Sequence, residues 1–141
     1  MLRKKTRIVL DTNVLYAGLY SSKDASFRVL QAIEEGKIRM VISTTLLFEY
    51  EDVLKRNQAI LDLSEHEIEK ILNYFCMQSE HQKIYFLWRP RLPDPKDDYL
   101  LELAVASGTK FIVTHNTKDF KGTETFGLKP ITPKELMEDI L

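Results

Sequence analysis

The feature that most constrains this chain is the alternation of short apolar runs with longer stretches of helical periodicity. Arg7–Leu10, Arg39–Ile42 and Lys110–Val113 read as buried strands, with Lys83–Leu87 and Leu128–Ile131 as two more. Helical patterns lie between and after them. Asp24–Glu35 carries Phe27, Leu30 and Ile33 or Val29 on one face and stops at Gly36. Thr44 or Thr45 opens a helix to about Asn57, and Ser64-Glu65-His66-Glu67 is a capping box opening another to about Ser79. Asp94-Pro95 opens a helix that ends before Gly108, and Thr132-Pro133-Lys134-Glu135 opens the last.

Strands connected through helices of this length require right-handed crossovers and a parallel sheet covered on both faces. The expected fold is a three-layer α/β/α domain with a central parallel sheet of four to five strands, one domain over residues 1–141. A hydrophobic fraction of 44% and a charged fraction of 29% support a packed core and exclude disordered and fibrous classes. With 20 basic against 21 acidic residues the net charge is −1, which excludes a nonspecific nucleic-acid coat and requires any nucleic-acid site to be local. The single Cys76 excludes an internal disulfide and a multi-cysteine metal site; mid-helix beside Phe75 and Met77, it reads as a packed thiol. Asp11 interrupts the first apolar run, so neither a signal peptide nor a membrane span is expected, and a cytoplasmic location is.

Ligands of open parallel sheets bind beyond the carboxyl ends of the strands. The first strand ends in Leu10-Asp11-Thr12-Asn13; by residue type all three polar residues are good helix N-caps. The strand at Val113 runs into Thr114-His115-Asn116-Thr117-Lys118-Asp119-Phe120, a second polar cluster at the same edge. Asp94-Pro95-Lys96-Asp97-Asp98 supplies three carboxylates at a helix start. On a helical wheel Asp97 shares the apolar face of Leu101 and Ala104, while Asp98 points toward solvent. In the helix after the second strand, Asp52 faces away from the apolar stripe; Glu49 and Glu51 flank it equally. Position along the helix favours Glu49 for a site, and Glu51 reads as a solvated flank charge. Carboxylates gathered on one edge repel unless a cation sits among them. Oxygen-only donors select Mg²⁺ or Mn²⁺ over zinc, and such centres serve metal-assisted phosphodiester hydrolysis.

Taken in order, Ile8-Val9-Leu10-Asp11-Thr12-Asn13-Val14-Leu15, Ile42-Ser43 with Leu46-Leu47-Phe48-Glu49 and Val53-Leu54, Asp94-Pro95-Lys96-Asp97-Asp98 with Leu100, Ala104 and Gly108, and Ile112 to Phe120 together resemble PIN domains. Within that family the chain is most similar to the bacterial and archaeal branch of toxin components related to VapC toxins. The resemblance spans nearly the whole chain and implies a Mg²⁺- or Mn²⁺-dependent endoribonuclease acting on RNA. It implies catalytic roles for Asp11, Glu49, Asp97 and Asp119, a metal held by these with Asn116, and supporting polar roles for Thr12, Asn13 and Thr114. It also implies an antitoxin protein as partner, and homodimers are common in the family. The chain departs from the family pattern at Asn116, where an Asp is usual; an uncharged amide weakens a second metal position.

Basic residues gather at Arg3-Lys4-Lys5-Arg7, at Arg89 and Arg91 beside Trp88, and at Lys118 and Lys121. Such groups ordinarily form a solvated surface; near the acidic edge Arg89, Arg91 and Lys118 would hold phosphates, with Trp88 or Tyr85 stacking a base. His115 adjoins the edge and is a candidate substrate contact, whereas His66 and His81 read as surface residues. A phosphoaspartyl enzyme fits poorly, because Asp11-Thr12-Asn13 is not Asp-x-Asp. No Ser nucleophile elbow, dinucleotide fingerprint or Walker A motif occurs, and 5 glycines provide no phosphate loop. The alternative reading is a noncatalytic domain of the same fold that binds RNA or a protein partner.

Overall fold

The computed structural model describes residues 5–84 and 97–141. Their order is β1 (Thr6–Leu10), α1 (Thr12–Tyr20), α2 (Ala25–Glu34), β2 (Ile38–Ile42), α3 (Thr44–Arg56), α4 (Gln58–Leu61), α5 (Glu65–Gln78), β3 (Glu80–His81), α6 (Asp98–Ser107), β4 (Phe111–Val113), β5 (Lys129–Ile131) and α7 (Pro133–Glu135). Two 3₁₀ turns, Thr117–Phe120 and Thr123–Phe126, lie between β4 and β5, and a π-helical turn over Leu136–Ile140 continues α7.

The strands form one sheet in the order β3-β2-β1-β4-β5, and every pair is parallel. Helices flank this sheet in a three-layer α/β/α arrangement. Ile8, Val9 and Leu10 of β1 are all fully buried, as a central parallel strand covered on both faces requires. From β1 the chain steps to β2 and β3 on one side, then returns to β4 and β5 on the other. The order therefore reverses between β1 and β4, and a crevice opens at their carboxyl ends.

Local capping chemistry explains several boundaries. The Ser64 hydroxyl accepts from the Glu67 N–H and the Glu67 carboxylate accepts from the Ser64 N–H; Thr132 and Glu135 do the same at α7. Gly36 at φ +77° follows α2 as a left-handed stop. At α3 the cap is Ser43, one residue before the expected Thr44 or Thr45, with its hydroxyl accepting from the Leu46 N–H. Ser43 is the last extended residue and is buried, whereas the two threonines are already helical and exposed.

The second edge strand departs from expectation. It is Glu80–His81 rather than Lys83–Leu87; Lys83 and Ile84 are not in a strand, and residues 85–87 lie outside the described residues. The pairing is Val41 with Glu80 and Ile42 with His81, and the Gln82 N–H adds a bond to the Ile42 carbonyl at 2.9 Å. Glu80 is held there by charge: its carboxylate takes Arg7 Nε at 3.0 Å and Arg39 Nε at 3.2 Å. Two polar residues carry no hydrophobic alternation, so the apolar pattern downstream offered the stronger signal. Helix α6 begins at Asp98, with Asp97 in its cap position; Asp94 and Pro95 lie outside the described residues.

Helices α1 and α2 meet at Gly18. A Cβ there would lie 2.6 Å from Leu30 Cδ1 and 3.0 Å from the Ser26 carbonyl oxygen. Glycine inside a helix costs about 0.5–1 kcal/mol relative to alanine. The close approach of the two helices accounts for its presence. Gly18→Ala is predicted to lower stability by about 1–3 kcal/mol through overpacking, measured by urea denaturation; a more stable variant would show that α2 can draw back freely.

Candidate metal centre at the sheet switch point

The site begins where β1 ends. The Asp11 N–H donates to the Val113 carbonyl at 2.9 Å, extending the β1–β4 ladder by one bond and bringing Asp11 beside Thr114. The Asp11 backbone occupies the cap position of α1 (φ −67°, ψ 150°), and its carbonyl accepts from the Val14 N–H. Its carboxylate makes no capping hydrogen bond. Instead Oδ2 accepts the Thr114 hydroxyl at 2.7 Å, and Oδ1 accepts the Thr12 hydroxyl at 3.4 Å. Asp11 is only 6% exposed and Thr114 is fully buried.

Thr114 is the junction of this network. While its hydroxyl donates to Asp11, it accepts from the Asn116 N–H at 3.1 Å and from Asn13 Nδ2 at 3.5 Å. The Asn13 side-chain oxygen in turn accepts from the His115 N–H at 3.4 Å. Asn116 thus contributes its backbone, and its exposed side chain takes no part. Burial pushes the Asp11 carboxyl above the ordinary aspartate range; hydrogen bonding from Thr114, and secondarily from Thr12 and Asn13, opposes that rise.

Helix α3 is fastened to the same strand end. The Tyr50 hydroxyl, fully buried, donates to the Leu10 carbonyl at 2.6 Å, and Phe75 packs against its ring. This bond fixes the first turns of α3, on which Glu49 is half-buried. Glu51, by contrast, pairs with Lys55 at 3.4 Å, and exposed Asp52 pairs with Arg56, as solvated flank charges do.

The opening of α6 brings the third carboxylate. Burial, and then the negative charges of Asp11, Glu49 and Asp97, push the Tyr99 phenol far above its ordinary pKa. One ring thus feels the field of all three acidic groups. Sequence patterning missed Tyr99; its only signal is its position two residues after Asp97 on the helix entering the site. The expected orientation of the neighbouring acids is reversed: Asp98 is fully buried and Asp97 only partly so. Asp97 stands outside regular helix at φ −91°, ψ −6°, so the wheel does not extend to it. Every residue from Leu100 to Ala104 is buried, so this end of α6 has no solvent face for Asp98 to occupy.

Asp119 lies in the first 3₁₀ turn, half-buried; its N–H donates to the Asn116 carbonyl, and its carboxylate has no hydrogen bond or ion pair among the described residues. Lys118 is exposed. His115 is exposed too, with Nε2 2.9 Å from Ser26 Oγ, a residue fully buried in the first turn of α2. It straps α2 to the loop after β4. Arg89, Arg91, Trp88 and Tyr85 lie outside the described residues. Among the described residues no three acidic, imidazole or thiol groups stand close enough to complete a metal shell. The donors themselves, carboxylates with threonine hydroxyls, fit a hard divalent cation in kind. No described helix is long and apolar enough to cross a membrane.

A family model described as PIN domain matches residues 7–118, from the first strand through the loop that carries Thr114 and Lys118. No curated protein matches the chain.

A carboxyl group whose folded-state pKa is raised destabilises the fold once pH exceeds its unfolded value, because the charge is then buried. Asp11→Asn removes that charge and keeps an acceptor for Thr114. The variant is predicted to melt a few degrees higher at pH 7 in the absence of divalent metal, with the advantage shrinking as pH falls below the raised carboxyl pKa and gone at the ordinary aspartate value. Differential scanning calorimetry from pH 3 to 7.5 checks this; a variant less stable at pH 7 would contradict it.

Proposed function

This chain belongs to the PIN-domain family, and from that premise we propose that it is a metal-dependent endoribonuclease, the VapC-like toxin of a toxin–antitoxin pair. PIN domains are generally metal-dependent nucleases. The observation that carries the reading is Asp11, buried at the carboxyl ends of β1 and β4 with its pKa raised and with no Lys or Arg paired to it among the described residues. A buried carboxylate of this kind is costly to keep unless a cation is its working partner.

In this reading Asp11, Glu49 and Asp97 would be the main ligands of Mg²⁺ or Mn²⁺, and Asp119 and Asn116 would complete the polar set. The ion would supply Lewis-acid polarisation of the phosphate and neutralise charge developing on it. The rest is the chain's own work. Thr114 holds the Asp11 carboxylate in one orientation, Asn13 and the Asn116 N–H hold Thr114, and Thr12 engages the second oxygen. Tyr99, with its pKa raised, stays neutral at physiological pH and serves as a hydrogen-bond donor rather than a base. Lys118, Arg89 and Arg91 are the phosphate-binding residues of this proposal. An antitoxin segment entering the acidic crevice is the partner it carries, together with a second copy of the chain.

A noncatalytic domain that binds RNA or protein is the second reading. It draws on Asn116 in place of the family's Asp and on the lack, among the described residues, of three acidic groups close enough to complete a metal shell. Incubating single-stranded RNA with the protein in Mn²⁺ decides between them. The ribonuclease reading predicts cleavage that falls about 100-fold or more in Asp11→Asn and in Asp97→Asn, with unchanged circular dichroism. Cleavage that survives both substitutions, or none in the wild type, would overturn it.

A further inference from the structure

A concentration of positive charge lies along the outer edge of β5. A cleft of about 640 Å³ there is lined by Lys110, Lys118, Lys121 and Lys129, with Glu124 as its one carboxylate. All four lysines are exposed, and none pairs with a carboxylate among the described residues. The Lys110 ammonium sits 5.4 Å from the centre of the Phe111 ring, an arrangement that leaves its charge unneutralised.

The fold compels this gathering. Lys110 immediately precedes β4 and Lys129 opens β5, and the two are tied by the Lys129 N–H donating to the Lys110 carbonyl at 2.7 Å. Lys118 belongs to the 3₁₀ turn that packs against β5, and Lys121 caps that turn. In a chain of net charge −1, four exposed ammonium groups facing one carboxylate make a local positive field that attracts an anion. Pro130, at the middle of the edge strand, has no N–H to offer an added strand, so this edge is ill suited to a protein partner that pairs by β-augmentation. Lysines acting as point charges suit phosphates read without base specificity.

We propose that this cleft is a second subsite for the backbone of single-stranded RNA, holding phosphates of the strand whose scissile bond lies at Asp11. It rests on the ribonuclease reading. Thr114 and Lys118 are four residues apart, so Lys118 Cα lies within about 14 Å of Thr114 Cα, and one strand can occupy both places. The acidic crevice supplies the chemistry, and the lysine cleft supplies affinity at a distance from it.

The test measures binding of a 20-nucleotide polyuridylate in Ca²⁺, over a series of salt concentrations, to the wild type, Lys121→Glu/Lys129→Glu and Lys121→Gln/Lys129→Gln. The double charge reversal should weaken binding about 10-fold or more, and the neutral pair by less. The plot of log affinity against log salt should be shallower by about 1.4 for the neutral pair, since each phosphate of a single strand that a lysine neutralises adds about 0.7 to the slope. Unchanged affinity and slope in both variants, with RNA still cleaved by the wild type in Mn²⁺, would overturn the cleft and leave the ribonuclease reading standing. Wild-type protein that neither binds nor cleaves RNA would overturn both. Poly-glutamate competing as well as the RNA at equal charge would assign the cleft to an acidic polypeptide and overturn the RNA subsite.

Discussion

One hydrogen bond joins the two halves of this fold at the place where its chemistry lies. The Thr114 hydroxyl, at the end of β4, donates to Asp11, at the end of β1, at 2.7 Å. These strands are neighbours because the sheet order reverses between them, and a parallel sheet leaves a crevice at that reversal. Around the bond the Asp11 N–H extends the ladder to Val113, and the Thr114 N–H extends the next one to Ile131 at 2.9 Å. Each residue is thereby fixed by a backbone bond to the neighbouring strand, Asp11 to β4 and Thr114 to β5. Asn13, Asn116 and Tyr50 are supports for the same junction.

The junction sets stability against function. Burial raises the Asp11 pKa, and the hydrogen bonds to its carboxylate recover only part of the cost. A chain selected for stability alone would place an asparagine or an apolar residue there. The negative field on Tyr99 points the same way: it comes from Asp11, Glu49 and Asp97, on elements remote in sequence, the end of β1, α3 and the start of α6. A local departure from what favours folding, at the carboxyl end of a parallel sheet, is the pattern of a working site.

Much of this was legible in the sequence because it is locally determined. The capping boxes at Ser64 and Thr132, the stop at Gly36 and the apolar strands β1, β2 and β4 depend on neighbours within a few residues, and the chain order of strands and helices then dictates a parallel sheet. Strand β3 was not, since Glu80 and His81 have no strand signature and are placed by Arg7, Arg39 and β2. Asp97 and Asp98 exchanged their expected exposures because a wheel describes regular helix with one wet face, and α6 has neither property at that end. At the site, Asp11 and Glu49 could be picked out as strand-end and helix-flank acids, whereas the link from His115 to Ser26 spans 89 positions and has no local trace. The same holds for the convergence of lysines beside β5, drawn together by pairing of β4 with β5.

The proposed function turns on the buried Asp11 carboxylate being the ligand of a divalent cation. Melting temperatures of the wild type and Asp11→Asn across a Mn²⁺ titration test it most directly. The wild type is predicted to start lower and to gain about 2.7 kcal/mol once Mn²⁺ reaches 100 times its Kd, while the variant starts higher and does not move. A wild type indifferent to Mn²⁺, or equal stabilisation of both proteins, would contradict it.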